Sequence, residues 1–145
     1  MLSPLFFAAA ILLSVAAEAQ PGPEVRIRVV AHPSTAISTL TRAEVSAIFM
    51  KRTRSWPDGS EIVPVDQQPR SRVREHFSRA VHGKSVAYVT RYWQRLIFSG
   101  RNVPPREEAD DEAVIAFVRA TPGAIGYVDG SVAVTEGVRV LEVTP

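Results

Sequence analysis

Strand-like and helix-like segments alternate along this chain, and the alternation constrains the fold more than any other feature of the sequence. Short apolar segments typical of strands cover residues 25–30, 61–66, 124–128 and 137–143. Between them, apolar residues at three-to-four spacing predict helices over residues 42–50, 71–82, 86–98 and 110–118. Strands separated by helices pair into a sheet that helices cover on both faces. The sequence therefore predicts an α/β domain, a three-layer sandwich with a mixed, mostly parallel sheet.

Specific residues mark the ends of these elements. Thr41 and Glu44 have the spacing of a capping box at the first helix, and Ser85 precedes the third helix as an N-cap residue. Gly83 follows the second helix, where a left-handed residue commonly ends a helix. Pro64 places the second strand near a sheet edge or at a strand end, because proline cannot donate a backbone hydrogen bond.

The amino terminus predicts export. Residues 2–17 carry no charge, and their apolar run is too short to span a bilayer as a helix. Small residues at Ala17 and Ala19 favour cleavage after Ala19, so residues 1–19 are interpreted as a signal peptide. The segment before the apolar run has no Lys or Arg, which leaves an uncleaved anchor as the alternative. Cleavage leaves residues 20–145 as a single domain without a membrane span.

Cysteine usage supports the same compartment. The chain has no cysteine, so an exported domain of this size depends on packing for its stability. This composition fits a bacterial periplasm better than a small secreted scaffold held by disulfides. We therefore expect a periplasmic or secreted bacterial protein.

Charge is distributed unevenly along the chain. Residues 70–106 contain nine Lys or Arg and one acid, Glu75, and an acidic cluster follows at residues 107–112. Most of these cations are predicted to lie on solvated helix faces, and the acidic cluster to stabilise the start of the last helix. Nucleic acid is excluded as a partner, since aromatic residues are not interleaved with the basic ones and the leader directs the chain out of the cytoplasm.

No catalytic or metal-binding pattern occurs. No serine lies in a nucleophile elbow and no glycine-rich phosphate loop follows a strand. His32, His76 and His82 lack the common ligand spacings of metal sites. The sequence therefore predicts a protein that is not an enzyme and uses no cofactor or metal.

Residues 65–77 form the most informative segment, because a strand end, a polar loop and a helix start follow one another there. Backbone N–H groups at such a place can hold an anion. Ser71 can add a hydroxyl, and Arg70, Arg72 and Arg74 can add positive charge. In the alternative interpretation Ser71 only caps the helix and the arginines face water.

Several segments together resemble a known family. The first are the His32-Pro33 pair, residues 40–45, Ile48-Phe49 and residues 53–56. The others are residues 62–65, then Ser71, Arg74, Glu75 and Phe77, and finally residues 121–128, which read Thr-Pro-Gly-Ala-Ile-Gly-Tyr-Val. In this order they resemble the phosphate-type periplasmic substrate-binding proteins of ABC transporters, and the resemblance covers nearly all of residues 20–145. It implies a two-lobed α/β fold that holds an anion between its lobes and delivers it to a membrane transporter.

This chain is about half the size of that family and resembles its second lobe. The family's ligand loop carries an arginine followed by Ser-Gly-Thr. The matching positions here are Gln67 for the arginine, Ser71 for the serine, Arg72 for the glycine and Val73 for the threonine. Only the serine is retained, so the resemblance implies weak phosphate binding or none. Arg72 can restore the lost charge, whereas its side chain hinders close approach of the backbone to a ligand.

Two functions are consistent with these observations. The first is a non-enzymatic exported binding protein with an altered anion site for phosphate or another small anion, formed by Gln67, Arg70, Ser71, Arg72, Val73 and Arg74. Its partner is expected to be an ABC transporter or another envelope protein. The second is a periplasmic protein–protein interaction module that has lost ligand binding and uses Arg91, Arg95 and residues 101–106 to contact a partner or a second copy.

Overall fold

A computed structural model describes residues 26–134 and 136–145 of the chain. The signal peptide predicted over residues 1–19 lies outside the described residues. Within the described ranges, no helix has the length and apolar character needed to cross a membrane.

In the part of the chain that the structure describes, six strands form one mixed sheet. They are β1 (Ile27–Ala31), β2 (Thr39–Thr41), β3 (Val63–Gln67), β4 (Arg106–Glu108), β5 (Ala124–Asp129) and β6 (Arg139–Thr144). Their order across the sheet is β2-β6-β1-β5-β3-β4. Strand β1 runs antiparallel to β5 and β6, and the other three neighbouring pairs are parallel. The mixed, mostly parallel sheet predicted from the sequence is confirmed.

Among the described residues, four α-helices accompany the sheet. They are α1 (Arg42–Phe49), α2 (Arg72–Phe77), α3 (Val86–Phe98) and α4 (Asp111–Ala120), and α2 continues as a π-helical segment over Ser78–His82. The predicted capping box at α1 is present, with the Thr41 hydroxyl accepting from Glu44 N at 3.2 Å. The π-helical segment ends at Gly83 with φ of 64°. The second predicted helix therefore has the predicted limits but changes its hydrogen bonding midway.

Alternate residues of the sheet face two separate cores. On one face, Phe49 of α1 and Phe77 of α2 pack against Tyr127 of β5. On the other face, Val114 and Val118 of α4 pack against residues of β1, β3 and β5. Helices therefore cover both sides of the sheet, which confirms the three-layer arrangement.

Two strands differ from the sequence prediction. Strands β2 and β4 are not among the predicted strands, and β4 includes Glu107 and Glu108 of the acidic cluster that is predicted to stabilise the start of the last helix. Each has only three residues, which is too few for a periodic signal. Both pair at an edge of the sheet, where polar side chains can reach solvent.

Helix α3 also corrects one prediction. The apolar spacing of residues 86–98 predicts that Ile97 is buried, but Ile97 is 49% exposed. The helix packs through Val89 and Trp93 against Met50, in a small cluster separate from the two faces of the sheet. Leu96 packs against this cluster, whereas Ile97 lies outside it.

Candidate functional site

The predicted anion site lies where β3 and β4 end and α2 begins. The two strands are parallel, so their carboxyl ends meet at the same edge of the sheet. Gln68 N donates to the carbonyl oxygen of Glu108 at 3.0 Å and closes this edge. The amino terminus of α2 follows, with Ser71 as its N-cap residue.

Gln67 lies at the centre of this edge and is only 1% exposed. Its side-chain Nε2 donates to Asp111 Oδ1 at 2.6 Å and to the carbonyl oxygen of Tyr127 at 3.1 Å. Its Oε1 accepts from the Ser71 hydroxyl at 2.6 Å. Because a buried amide needs partners for its donor and acceptor atoms, Gln67 joins β3 to β5, α2 and α4.

Ser71 has two roles within the fold. Its hydroxyl oxygen accepts from Arg74 N at 3.2 Å and so caps α2. The single hydroxyl proton is donated to Gln67 Oε1. In this arrangement the hydroxyl has no further proton to donate to a ligand.

Arg74 is the buried cation of the site and is 4% exposed. Its NH1 donates to the carbonyl oxygen of Gln67 at 2.6 Å and to Glu107 Oε1 at 2.9 Å. Its NH2 lies 3.4 Å from Asp66 Oδ2. Burial alone lowers the pKa of Arg74, but Asp66 and Glu107 together raise it above its ordinary value, so the guanidinium stays charged.

Asp66 and Tyr127 complete the arrangement on the face packed by α1 and α2. The Tyr127 hydroxyl donates to Asp66 Oδ1 in a short hydrogen bond, and the Tyr127 ring stacks on Phe77 with a centroid distance of 3.8 Å. Burial raises the pKa of Asp66 and, with the Asp66 charge beside it, raises the pKa of Tyr127. Tyr127 therefore remains a protonated donor.

The predicted site residues separate into two groups. Gln67, Ser71 and Arg74 come together, whereas Arg70 and Arg72 extend into solvent. Val73 packs against the core that contains Phe77. Arg72 therefore does not restore the charge that the arginine-to-glutamine difference at Gln67 removes, since its side chain lies outside the buried edge.

Four partners of these residues were not predicted, and of these Glu107 is exposed. We call the whole set the β3-end network: Asp66, Gln67, Ser71, Arg74, Glu107, Asp111 and Tyr127. A signal existed for Tyr127, because a tyrosine in a buried strand needs a partner for its hydroxyl. Asp66 follows the apolar part of a strand and carried a weaker signal. Glu107 and Asp111 carried none, since their positions depend on how β4 and α4 pack against β3.

The charges of the β3-end network determine what it can do chemically. One cation, Arg74, faces the carboxylates of Asp66 and Glu107, and Asp111 approaches Gln67 from α4. A small anion entering this edge meets three carboxylates, and the Ser71 hydroxyl and the Arg74 guanidinium already have acceptors. Among the described residues, no group of three or more His, Cys, Asp or Glu side chains could hold a metal ion. The network is a polar core that fixes α2 and α4 to the sheet.

Neither a family model nor a curated protein matches this sequence. Solved structures do match. They include a candidate phosphate ABC transporter substrate-binding protein with bound phosphate from Clostridium perfringens, with a TM-score of 0.64 and 20% identity. An ABC-type phosphate transport receptor from Vibrio cholerae gives 0.63 and 15%, and PstS from Borrelia burgdorferi gives 0.59 and 15%.

The extent of these matches is uneven. Each covers 81% of this chain but only 44%, 45% and 47% of the respective solved chains. The chain thus spans less than half the length of the proteins that it resembles in structure. It has the α/β fold of a single lobe of a phosphate ABC transporter substrate-binding protein.

Proposed function

We propose that this chain is an exported, non-enzymatic binding protein built on one lobe of the phosphate-binding fold, and that it acts by contacting another envelope protein and not by holding free phosphate. The observation that carries this proposal is the closed β3-end network. Gln67, Ser71 and Arg74 bind one another and their neighbours at the position where the resemblance implied a ligand.

Electrostatics argue against a small anion at this edge. An anion that leaves water needs donors that are free to satisfy its oxygens. The hydroxyl proton of Ser71 and the guanidinium of Arg74 already have acceptors within the fold. Binding phosphate here would require breaking those bonds and bringing a dianion close to Asp66 and Glu107.

Exposed apolar side chains favour contact with another protein. At the end of α3 and in the following loop, Ile97, Phe98 and Val103 are 49%, 91% and 62% exposed. Large apolar side chains that remain in solvent commonly mark interaction sites when they cluster. Arg91 and Arg95 are exposed on the same helix and favour an acidic partner surface. An ABC transporter, another envelope protein or a second copy of this chain can supply such a surface.

The anion half of the proposal is tested by titration. Inorganic phosphate, sulfate and acetate are added in turn to residues 20–145, and backbone amide shifts are followed by NMR. We expect the amides of residues 71–74 to move no more than those of residues 85–88, because Ser85 caps α3 with the same geometry and provides a matched control. Saturable shifts confined to residues 71–74 would overturn this half and support the altered anion site.

The partner half is tested by site-specific photocrosslinking in intact cells. A crosslinking residue at Phe98 is expected to give discrete adducts, with either a second copy or another envelope protein. The same residue at the exposed Glu112 of α4, on the opposite face of the sheet, serves as the control. Equal adduct patterns at the two positions, together with a monomer in sedimentation, would contradict a contact through the end of α3.

A further inference from the structure

A groove of about 380 Å³ lies at the end of β3 that is remote from Gln67. Its apolar lining comes from Ile62, Val63, Pro64 and Val103. Polar side chains of Lys51, Thr53, Arg54 and Asn102 surround this lining. The volume is in the range of small-molecule sites and exceeds what a bare inorganic anion needs.

The groove exists because β4 pairs with only part of β3. The register of the pair begins at Val65 opposite Arg106, so Val63 and Pro64 have no strand beside them on that side. Pro64 has no backbone N–H group. This part of the sheet edge therefore lacks one of the hydrogen-bond donors that an additional strand would need for pairing. We therefore expect a ligand to be recognised by the side chains of the groove and not by strand pairing with the backbone.

Two cations of the groove remain unpaired with acids. Within the described ranges, neither Lys51 nor Arg54 forms a salt bridge, whereas Arg106 is paired with Glu108 at 2.6 Å. Glu61 also lines the groove and offsets part of the positive charge. Lys51 is half-buried, and burial, followed by the charge of Arg54, lowers the pKa of its ammonium group.

The backbone conformation of Lys51 is unusual for a residue with a side chain. Lys51 has φ of 51°, and it is the one non-glycine residue with positive φ among those that the structure describes. It follows the end of α1, where Lys51 N donates to Ile48 O at 3.0 Å and Arg52 N to Ala47 O at 2.8 Å. Glycine is the residue that this left-handed position favours. A lysine at this position therefore costs some stability relative to glycine.

We propose that this groove binds a monoanionic carboxylate with an attached apolar group. The carboxylate lies between Lys51 and Arg54, and the apolar group lies on Val63 and Val103. One net positive charge remains once Glu61 is counted against Lys51 and Arg54, and this balance favours a monoanion over phosphate dianion. A free organic acid and the carboxyl terminus of a peptide present the same chemistry. The inference does not depend on the role of the β3-end network.

The experiment uses hexanoate and N-acetylleucine as the two forms of this chemistry, with neutral hexanamide and inorganic phosphate as controls. Each is titrated into residues 20–145 while the backbone amides of residues 52–55 and of Ile62, Val63 and Val65 are followed by NMR. We expect saturable shifts with one or both carboxylates, and at least tenfold weaker binding of hexanamide and phosphate. The tighter of the two carboxylates identifies a free acid or a chain terminus as the source.

Two substitutions separate binding from folding. Lys51→Gly is expected to raise the urea midpoint, because glycine relieves the left-handed strain, and to weaken hexanoate or N-acetylleucine binding at least tenfold. Arg52→Gln changes a neighbouring cation that does not line the groove and should leave the affinity unchanged. Equal affinity of Lys51→Gly and the unmodified chain, or equal binding of hexanamide and hexanoate, would overturn the proposal.

Discussion

Arg74 shows how a single buried charge is held in this fold. Its guanidinium binds the backbone of Gln67 and lies between the carboxylates of Asp66 and Glu107. A buried ion pair gives little net stability compared with apolar packing, but removal of one partner leaves the other charge unpaired in a medium of low polarity. The consequence of losing Arg74 should therefore be large even though the pair itself contributes little.

Arg74→Met tests this consequence. The substitution preserves much of the side-chain volume and removes the charge, so we expect the free energy of unfolding to fall by about 3 kcal/mol or more. Arg72→Met changes an exposed residue of the same helix and should cost less than about 0.5 kcal/mol. Urea unfolding followed by tryptophan fluorescence measures both values, and similar losses for the two variants would show that Arg74 is not held as described.

His82 makes stability depend on pH. Its Nδ1 lies 2.8 Å from the Ser46 hydroxyl, and its ring packs edge-on to Phe77. Burial, followed by the charges of Arg74 and Arg52, lowers the pKa of His82 from 6.5 to about 4. A lowered pKa means that the unfolded chain binds a proton more readily than the folded chain. Stability from neutral His82 is therefore complete above about pH 6.5 and is lost as the pH falls towards 4.

The expected loss between pH 7.5 and pH 4 is about 2 kcal/mol for this residue, allowing for partial exposure to solvent. Other groups also titrate in this range, so the measurement is a comparison of urea midpoints for the unmodified chain and His82→Gln at both pH values. The variant should show the smaller pH dependence. His76→Gln removes an exposed imidazole and should leave the dependence unchanged, and a similar effect of both variants would contradict the assignment to His82.

At the scale of elements, the sequence predicted correctly those helix ends that are determined by a few neighbouring residues. The capping box at Thr41 and the left-handed Gly83 depend on a few neighbouring residues, and both were predicted correctly. Strands β2 and β4 are short and polar, and they exist because a longer neighbour offers them an edge. No periodicity within three residues can report such pairing, which depends on the rest of the sheet.

The same distinction applies to the β3-end network. Gln67, Ser71 and Arg74 lie in one strand–loop–helix unit, so local pattern was enough to predict that they are close together. Their acidic partners Glu107 and Asp111 come from β4 and α4, which are more than thirty residues away along the chain. Contacts of that separation leave no trace in local pattern. The sequence therefore predicted the positive half of the network and not the carboxylates that neutralise it.

Two serine N-caps allow the local and distant roles of Ser71 to be separated. Ser71 accepts from Arg74 N at 3.2 Å, and Ser85 accepts from Tyr88 N at 3.1 Å. Loss of a cap costs about 1 kcal/mol, which is the effect expected for Ser85→Ala. Ser71→Ala also removes the donor to the buried Oε1 of Gln67, so we expect about 2 to 3 kcal/mol. Thermal and urea unfolding of the two variants measure the difference. Equal losses in the free energy of unfolding would mean that Ser71 acts only as a helix cap.

At the scale of the whole molecule, the sheet and α3 differ in how they are supported. Residues 124–128 of β5 are fully buried between β1 and β3, with helices on both faces. Helix α3 packs against Met50 through Val89 and Trp93 and leaves Ile97 and Phe98 of its last turn in solvent. Helix α3 therefore presents the exposed apolar residues of the proposed contact and also packs in the smallest of the three apolar clusters.

This difference predicts an order of opening that native-state hydrogen exchange can measure. Amides of α3 should exchange through local opening at a lower free energy than amides of β5, because few buried apolar contacts must break. Helix α4 is a matched control, since Val114 and Val118 are fully buried against the sheet and its amides should open together with β5. Exchange of α3 at the same free energy as β5 would mean that α3 unfolds only with the whole domain. If α3 opens locally as expected, a partner that binds at Phe98 should slow hydrogen exchange in α3 selectively, because ligands stabilise the state that they bind.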